Sequence, residues 1–131
     1  MPVPLHYKEC KDYYDFHREI IGNLLLKSIY PEYYFTIDPK VWKVGIDKGI
    51  PLSEIAAKRR LDELEVKALA YEIANQLWTF HTEGWVHGDV KPDNIIYSTD
   101  YKMWRLIDFG NLVPRSFISG EVGGTPGYAP C

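Results

Sequence analysis

The order of apolar periodicities along this chain predicts an α+β domain. Three observations carry that prediction. Short β-rich runs come early, at 3–8, 33–37 and 41–46. Two helical patterns stand at 12–28 and 62–82. A hairpin-like pair of runs, "NIIY" and "MWRLI", follows the second helix around "STD" at 98–100. A doubly wound sheet would instead alternate strand and helix. A length of 131 residues suits one compact domain.

Each element has a local reason. "VPLHYK" alternates, with Pro4 suiting an edge or a strand start. Asp12 is placed to cap the first helix, whose inward face reads as Phe16, Ile20, Asn23, Leu24 and Leu26. Pro31 stops it. The runs 33–37 and 41–46 join across Asp38-Pro39, and "DKGIP" reads as a turn before the short helix "LSEIAAKRR". In the helix 62–82, Leu64, Leu69, Ile73, Leu77 and Phe80 fall at helical spacing, and Gly84 serves as its C′ residue. Trp78, Trp85 and Trp104 read as core or hairpin packing. After Gly110 periodicity is lost, and "SGEVGGTPGY" is loop chemistry.

Composition narrows the function. Hydrophobic residues make up 46% and charged residues 25%, as in an ordinary globular protein, and the net charge of −3 argues against a nucleic-acid surface. "KRRLDELE" at 58–65 reads as a solvated helix start. Two cysteines, Cys10 and Cys131, make neither a disulfide framework nor a zinc cluster. The most apolar stretch, "IIGNLLLKSIY", is too short and too polar to span a bilayer. The expectation is a cytoplasmic protein that binds neither membrane nor nucleic acid.

Chemistry concentrates in "WVHGDVKPDNIIY", residues 85–97, and in Asp108-Phe109-Gly110. Phosphoryl transfer needs a group to steer a hydroxyl proton, cations for phosphate oxygens, and hard oxygen ligands for Mg²⁺. Asp89 can orient the hydroxyl, Lys91 can reach the phosphate, and Asn94 and Asp108 can hold metal. Asp89 and Asp108 are 19 positions apart, room for a hairpin that returns the chain to its start.

These motifs resemble those of the protein kinases. "HGDVKPDN" is similar to their catalytic loop and "DFG" to their metal-binding triplet. Lys91 and the "GT" of "GGTPGYAP" resemble the Ser/Thr branch, and "VWKVGIDKGIPLSEI" resembles the strand, hinge and following helix. The resemblance implies a partial kinase fold: the end of the small lobe at 1–46, then the hinge and first part of the helical lobe at 47–131. It implies ATP and Mg²⁺ as cofactors, Asp89 as catalytic base, Lys91 as phosphate contact, and Asn94 and Asp108 as metal ligands. Glu19 would pair with Lys8, or with Lys11 as the alternative, to grip the nucleotide. Thr125 would hydrogen-bond near Asp89, and His87 would pack under the loop.

The chain departs from the pattern in three places. No glycine-rich phosphate loop precedes Lys8. Gly88 stands where many kinases carry an arginine that answers a phosphate on the activation loop. The chain ends at "YAPC", so it reads as a kinase domain truncated at both ends, whether a fragment or a minimal form. Uncovered apolar surface on the 62–82 helix is then expected to favour a dimer or a partner. Three functions follow: phosphate transfer to a protein hydroxyl; a non-catalytic module regulating a partner kinase; or a small-molecule kinase, which "HGD" with Asn94 also suits but Lys91 and "GTPGY" do not. As a plain alternative, Asp, Pro and Asn together also make an ordinary turn.

Overall fold

The computed structural model describes residues 5–117. Thr125, Cys131 and the "GGTPGYAP" segment lie outside the described residues. Strand β1 (Leu5–Glu9) leads into helix α1 (Tyr13–Ile29), followed by β2 (Thr36–Asp38) and β3 (Lys43–Asp47). These strands form an antiparallel sheet in the order β1-β3-β2. The chain crosses at Lys48-Gly49 to a second sheet, built from β4 (Ile50–Pro51), β6 (Ile95–Ser98) and β7 (Met103–Leu106) in the order β4-β6-β7. Helices α2 (Leu52–Lys58) and α3 (Glu63–Thr82) lie between β4 and β5 (Trp85–Val86), and β5 pairs with β8 (Val113–Pro114). Mixed helices and antiparallel sheets give the α+β class that the pattern predicts.

Helix α1 starts where the sequence places it, because the Asp12 carboxylate accepts the Asp15 amide. Lys27 closes it by donating to the Pro31 and Tyr33 carbonyls. Phe16, Asn23 and Leu26 are buried as expected and Ile20 is partly so, but Asp15, Glu19 and Gly22 join them inside, whereas Leu24 is half exposed. Periodicity does not send a carboxylate inward, yet Glu19 finds polar partners there, as Asn23 does. Helix α3 opens with a reciprocal capping box between Asp62 and Glu65 and buries only Ile73, Gln76 and Phe80 fully. Leu64 and Trp78, expected in the core, lie out in solvent with Tyr71 at 77%, 66% and 75% exposure. Three residues at seven-residue spacing thus form an apolar stripe on the outer face.

Two apolar clusters anchor the two sheets. Cys10, Phe16, Val44 and Ile46 pack between α1 and the first sheet. Leu26, Tyr33, Ile73, Phe80, Ile95, Trp104, Leu106, Phe109 and Leu112 join α1, α3 and the second sheet. Helix α1 therefore touches both, which fixes Glu19 near the end of β7. "DKGIP" is not wholly a turn: Ile50 and Pro51 pair with Tyr97 and Ile96.

Candidate active site

The site is assembled by the β6–β7 hairpin and the loop before it. Ile95 sits opposite Leu106, and the Ile107 amide continues the ladder by donating to the Asn94 carbonyl at 2.9 Å. Asn94 and Asp108 therefore lie at the same open end of one hairpin, adjacent in register. Asn94 closes a 3₁₀ turn, Pro92–Asn94, in which its own amide bonds the Lys91 carbonyl. Its side-chain nitrogen donates to the Asp89 carbonyl at 2.9 Å and to Asp89 Oδ2 at 3.1 Å. The amide oxygen is then the atom left for a cation. Lys91 Nζ stands 3.8 Å from Asp89 Oδ2.

His87 supports this loop from below. It is fully buried, its Nε2 lies 3.0 Å from the Ile107 carbonyl, and its Nδ1 accepts the Asp89 amide at 3.1 Å. That pairing requires the neutral ring protonated on Nε2. Burial holds its pKa below the ordinary 6.5, partly countered by the Ile107 carbonyl and by Asp108 and Asp89. Gly88 has φ +84, and a Cβ there would stand 2.5 Å from the Asn111 carbonyl oxygen. The missing arginine thus has a backbone cause: the loop needs the left-handed conformation that glycine adopts without strain.

Across the site, Lys8 Nζ bonds Glu19 Oε2 at 2.6 Å and Asp108 Oδ1 at 3.1 Å. Lys11 is exposed and meets α1 only through its backbone amide, so Lys8 is the partner of Glu19. Glu19 Oε2 also accepts the Phe109 amide at 2.8 Å. Burial alone would lower the Lys8 pKa, but the carboxylates of Glu19 and Asp108 outweigh it and hold the ammonium above its usual range. Burial pushes the Glu19 pKa up while Lys8 pulls it back. Asp108 itself is held at φ +62, a conformation in which aspartate is among the few tolerated residues.

Two further residues, not singled out in the sequence, shape the triplet. Arg18 Nε donates to the Gly110 carbonyl at 2.8 Å. Gly22 lies against Phe109, and a Cβ there would be 2.1 Å from the ring. Phe109 fills the space between Gly22, Phe80 and His87, with ring centroids 5.5 Å from each of the last two. The signal was present in "IIGNLLL": a glycine inside a helix costs about 1 kcal/mol against alanine and calls for a packing reason.

The donor set suits magnesium rather than a transition metal. Among the described residues no three His, Cys, Asp or Glu side chains cluster as a metal cage. One carboxylate and one amide oxygen, completed by phosphate and water, is the usual Mg²⁺ arrangement beside a nucleotide. A separate cleft of about 640 Å³, lined by Ile50, Ile55, Leu64, Tyr97 and Trp104 among others, contains none of these groups. The convergent polar side chains, not this cleft, define the site.

Comparison with known proteins agrees with the geometry. The family model for the protein kinase domain matches residues 46–130. B1 kinase of Vaccinia virus is 33% identical over 98 residues, covering 74% of this chain and 31% of that protein. Serine/threonine-protein kinase 1 of African swine fever virus (isolate Tick/Malawi/Lil 20-1/1983) is 33% identical over 68 residues, 52% of this chain and 23% of its own length. Maternal embryonic leucine zipper kinase of Danio rerio is 35% identical over 79 residues, 57% of this chain and 12% of its length. The chain thus spans less than a third of each of these relatives. With the hairpin, the loop and the triplet all inside the matched region, the chain belongs to the protein kinase family.

Proposed function

We propose that this chain carries the centre of an ATP- and Mg²⁺-dependent phosphotransferase of the Ser/Thr protein kinase type. The observation behind it is the convergence of Lys8, Glu19 and Asp108 with Asp89, Lys91 and Asn94 at one hairpin end. Asp89, oriented by Asn94, accepts the proton of the attacking hydroxyl. Lys91 neutralises the transferring phosphate, and Lys8, aimed by Glu19, holds the nucleotide's other phosphates. Asn94 and Asp108 would hold Mg²⁺, which when bound neutralises charge on the phosphate oxygens. The substrate is a protein hydroxyl, and the division into lobes is drawn at 46/47, one residue before β3 ends. A cytoplasmic place follows from the same reading; among the described residues no helix is long and apolar enough to cross a membrane.

The test is transfer of labelled phosphate from ATP with Mg²⁺, to the chain itself and to a basic protein. Asp89→Asn and Asp108→Ala are expected to lower it by about two to four orders of magnitude. Equal transfer by wild type and both variants would refute the reading.

A second reading, a non-catalytic module that binds another kinase or a second copy, is favoured by the exposed stripe Leu64, Tyr71 and Trp78. Tight capture of a kinase without phosphate transfer would select it.

A further inference from the structure

We propose that Arg105 and Tyr33 are positioning residues that fix helix α1 so that Glu19 meets Lys8; this rests on the nucleotide-binding reading above. Three polar side chains, Asn23, Tyr33 and Arg105, form one buried chain between the backbone carbonyls of Glu19 and Asp47. The Asn23 amide donates to the Glu19 carbonyl at 2.8 Å. The Tyr33 hydroxyl donates to Asn23 Oδ1 at 2.5 Å. The Arg105 guanidinium donates to the Tyr33 oxygen at 3.2 Å and to the Asp47 carbonyl at 3.1 Å, and lies 4.8 Å over the Tyr33 ring. None of Glu19, Asn23, Tyr33, Arg105 and Asp47 is more than 2% exposed.

The ends of this chain are what give it a role. Glu19 is on α1, Arg105 is on β7 three residues before Asp108, and Asp47 ends β3 where the chain passes to the second sheet. The relay therefore ties together the three elements that frame the site. Stability alone is a poor reason for it. Both Asp47 carboxylate oxygens and Arg105 Nε lack a hydrogen-bond partner, with Asp47 Oδ2 at 3.7 Å from Arg105. Buried ion pairs with open valences seldom outperform an apolar core. What the relay supplies is a fixed depth and rotation for α1. Apolar packing already brings α1 to both sheets, and the relay adds the directional ties that set where one Glu19 oxygen serves both Lys8 Nζ and the Phe109 amide.

The experiment compares the full chain with Tyr33→Phe, which removes one hydroxyl, and Arg105→Lys, which keeps charge beside Asp47 but loses the planar fork. Binding of Mg-ATP and of adenosine is measured by calorimetry, with Glu19→Gln as reference. Both variants are expected to weaken Mg-ATP about tenfold, the scale of one lost hydrogen bond, and to leave adenosine within about twofold. The double variant Tyr33→Phe/Glu19→Gln is expected to lose no more than Glu19→Gln alone, since both act through the same carboxylate. Tyr33→Phe binding Mg-ATP as tightly as wild type would overturn the inference, as would equal loss of both ligands, the mark of a merely structural role. Wild type binding neither ligand would overturn the nucleotide reading itself, and the inference with it.

Discussion

Two carboxylate–cation pairs in this chain are nearly equal in length and opposite in consequence. Lys8–Glu19 closes at 2.6 Å and Arg59–Glu65 at 2.8 Å. The second is bidentate and so has the better hydrogen-bond geometry of the two. Yet Arg59 is exposed and Glu65 only half-buried, so water competes for both charges. Glu19 is enclosed, and its one oxygen also holds the backbone of Phe109. Contact distance therefore says little about what a pair is for; enclosure and the other groups sharing the acceptor say more.

The largest effect is expected from breaking the enclosed pair. Glu19→Gln leaves Lys8 to Asp108 alone and should cost about 3 kcal/mol of stability in a urea melt, with Mg-ATP affinity falling as well. Gly22→Ala tests the wall behind the same pair. Its methyl group would collide with Phe109, at a cost of about 1–3 kcal/mol, and phosphate transfer should fall because the triplet shifts.

Acidification separates the regions more finely. The folded pKa of His87 lies below its ordinary 6.5, so the unfolded chain binds the extra proton first. Stability is then fully present above that ordinary value and is lost as pH falls below it; His87→Gln should flatten a melting-temperature profile between about pH 7 and 5. Hydrogen bonds from Arg59 and from the Asp62 amide draw the Glu65 pKa down to about 2 from 4.5; solvent screening keeps the resulting stabilisation small, and it is lost only as the pH falls below 4.5 toward 2. The smallest effect belongs to Arg59→Gln, which should leave the melting temperature nearly unchanged at neutral pH. A loss equal to that of Glu19→Gln would break the comparison.

Much of the fold was legible because its signals are local. Asp12 and Asp62 announce helix starts by capping, and the Ile95–Leu106 hairpin announces itself by β-branched and aromatic residues. The two-residue strands β4, β5 and β8 carry no period of their own and exist only through distant partners. Leu24, Leu64 and Trp78 sit outside because periodicity gives a face but not what covers it. The loop and triplet residues stood out in the sequence, whereas Lys8 and Glu19 came only from the resemblance to the kinases, with Lys11 as an alternative that the contacts do not favour. Arg105 stood out in neither way: in "MWRLI" it reads as a strand's solvent-facing charge, and only its contacts with Tyr33 and Asp47 reveal otherwise.

The conformation at Gly88 also couples two segments of the chain. A side chain there would need the Asn111 carbonyl to move, so the loop before the hairpin and the residues after the triplet hold each other in register.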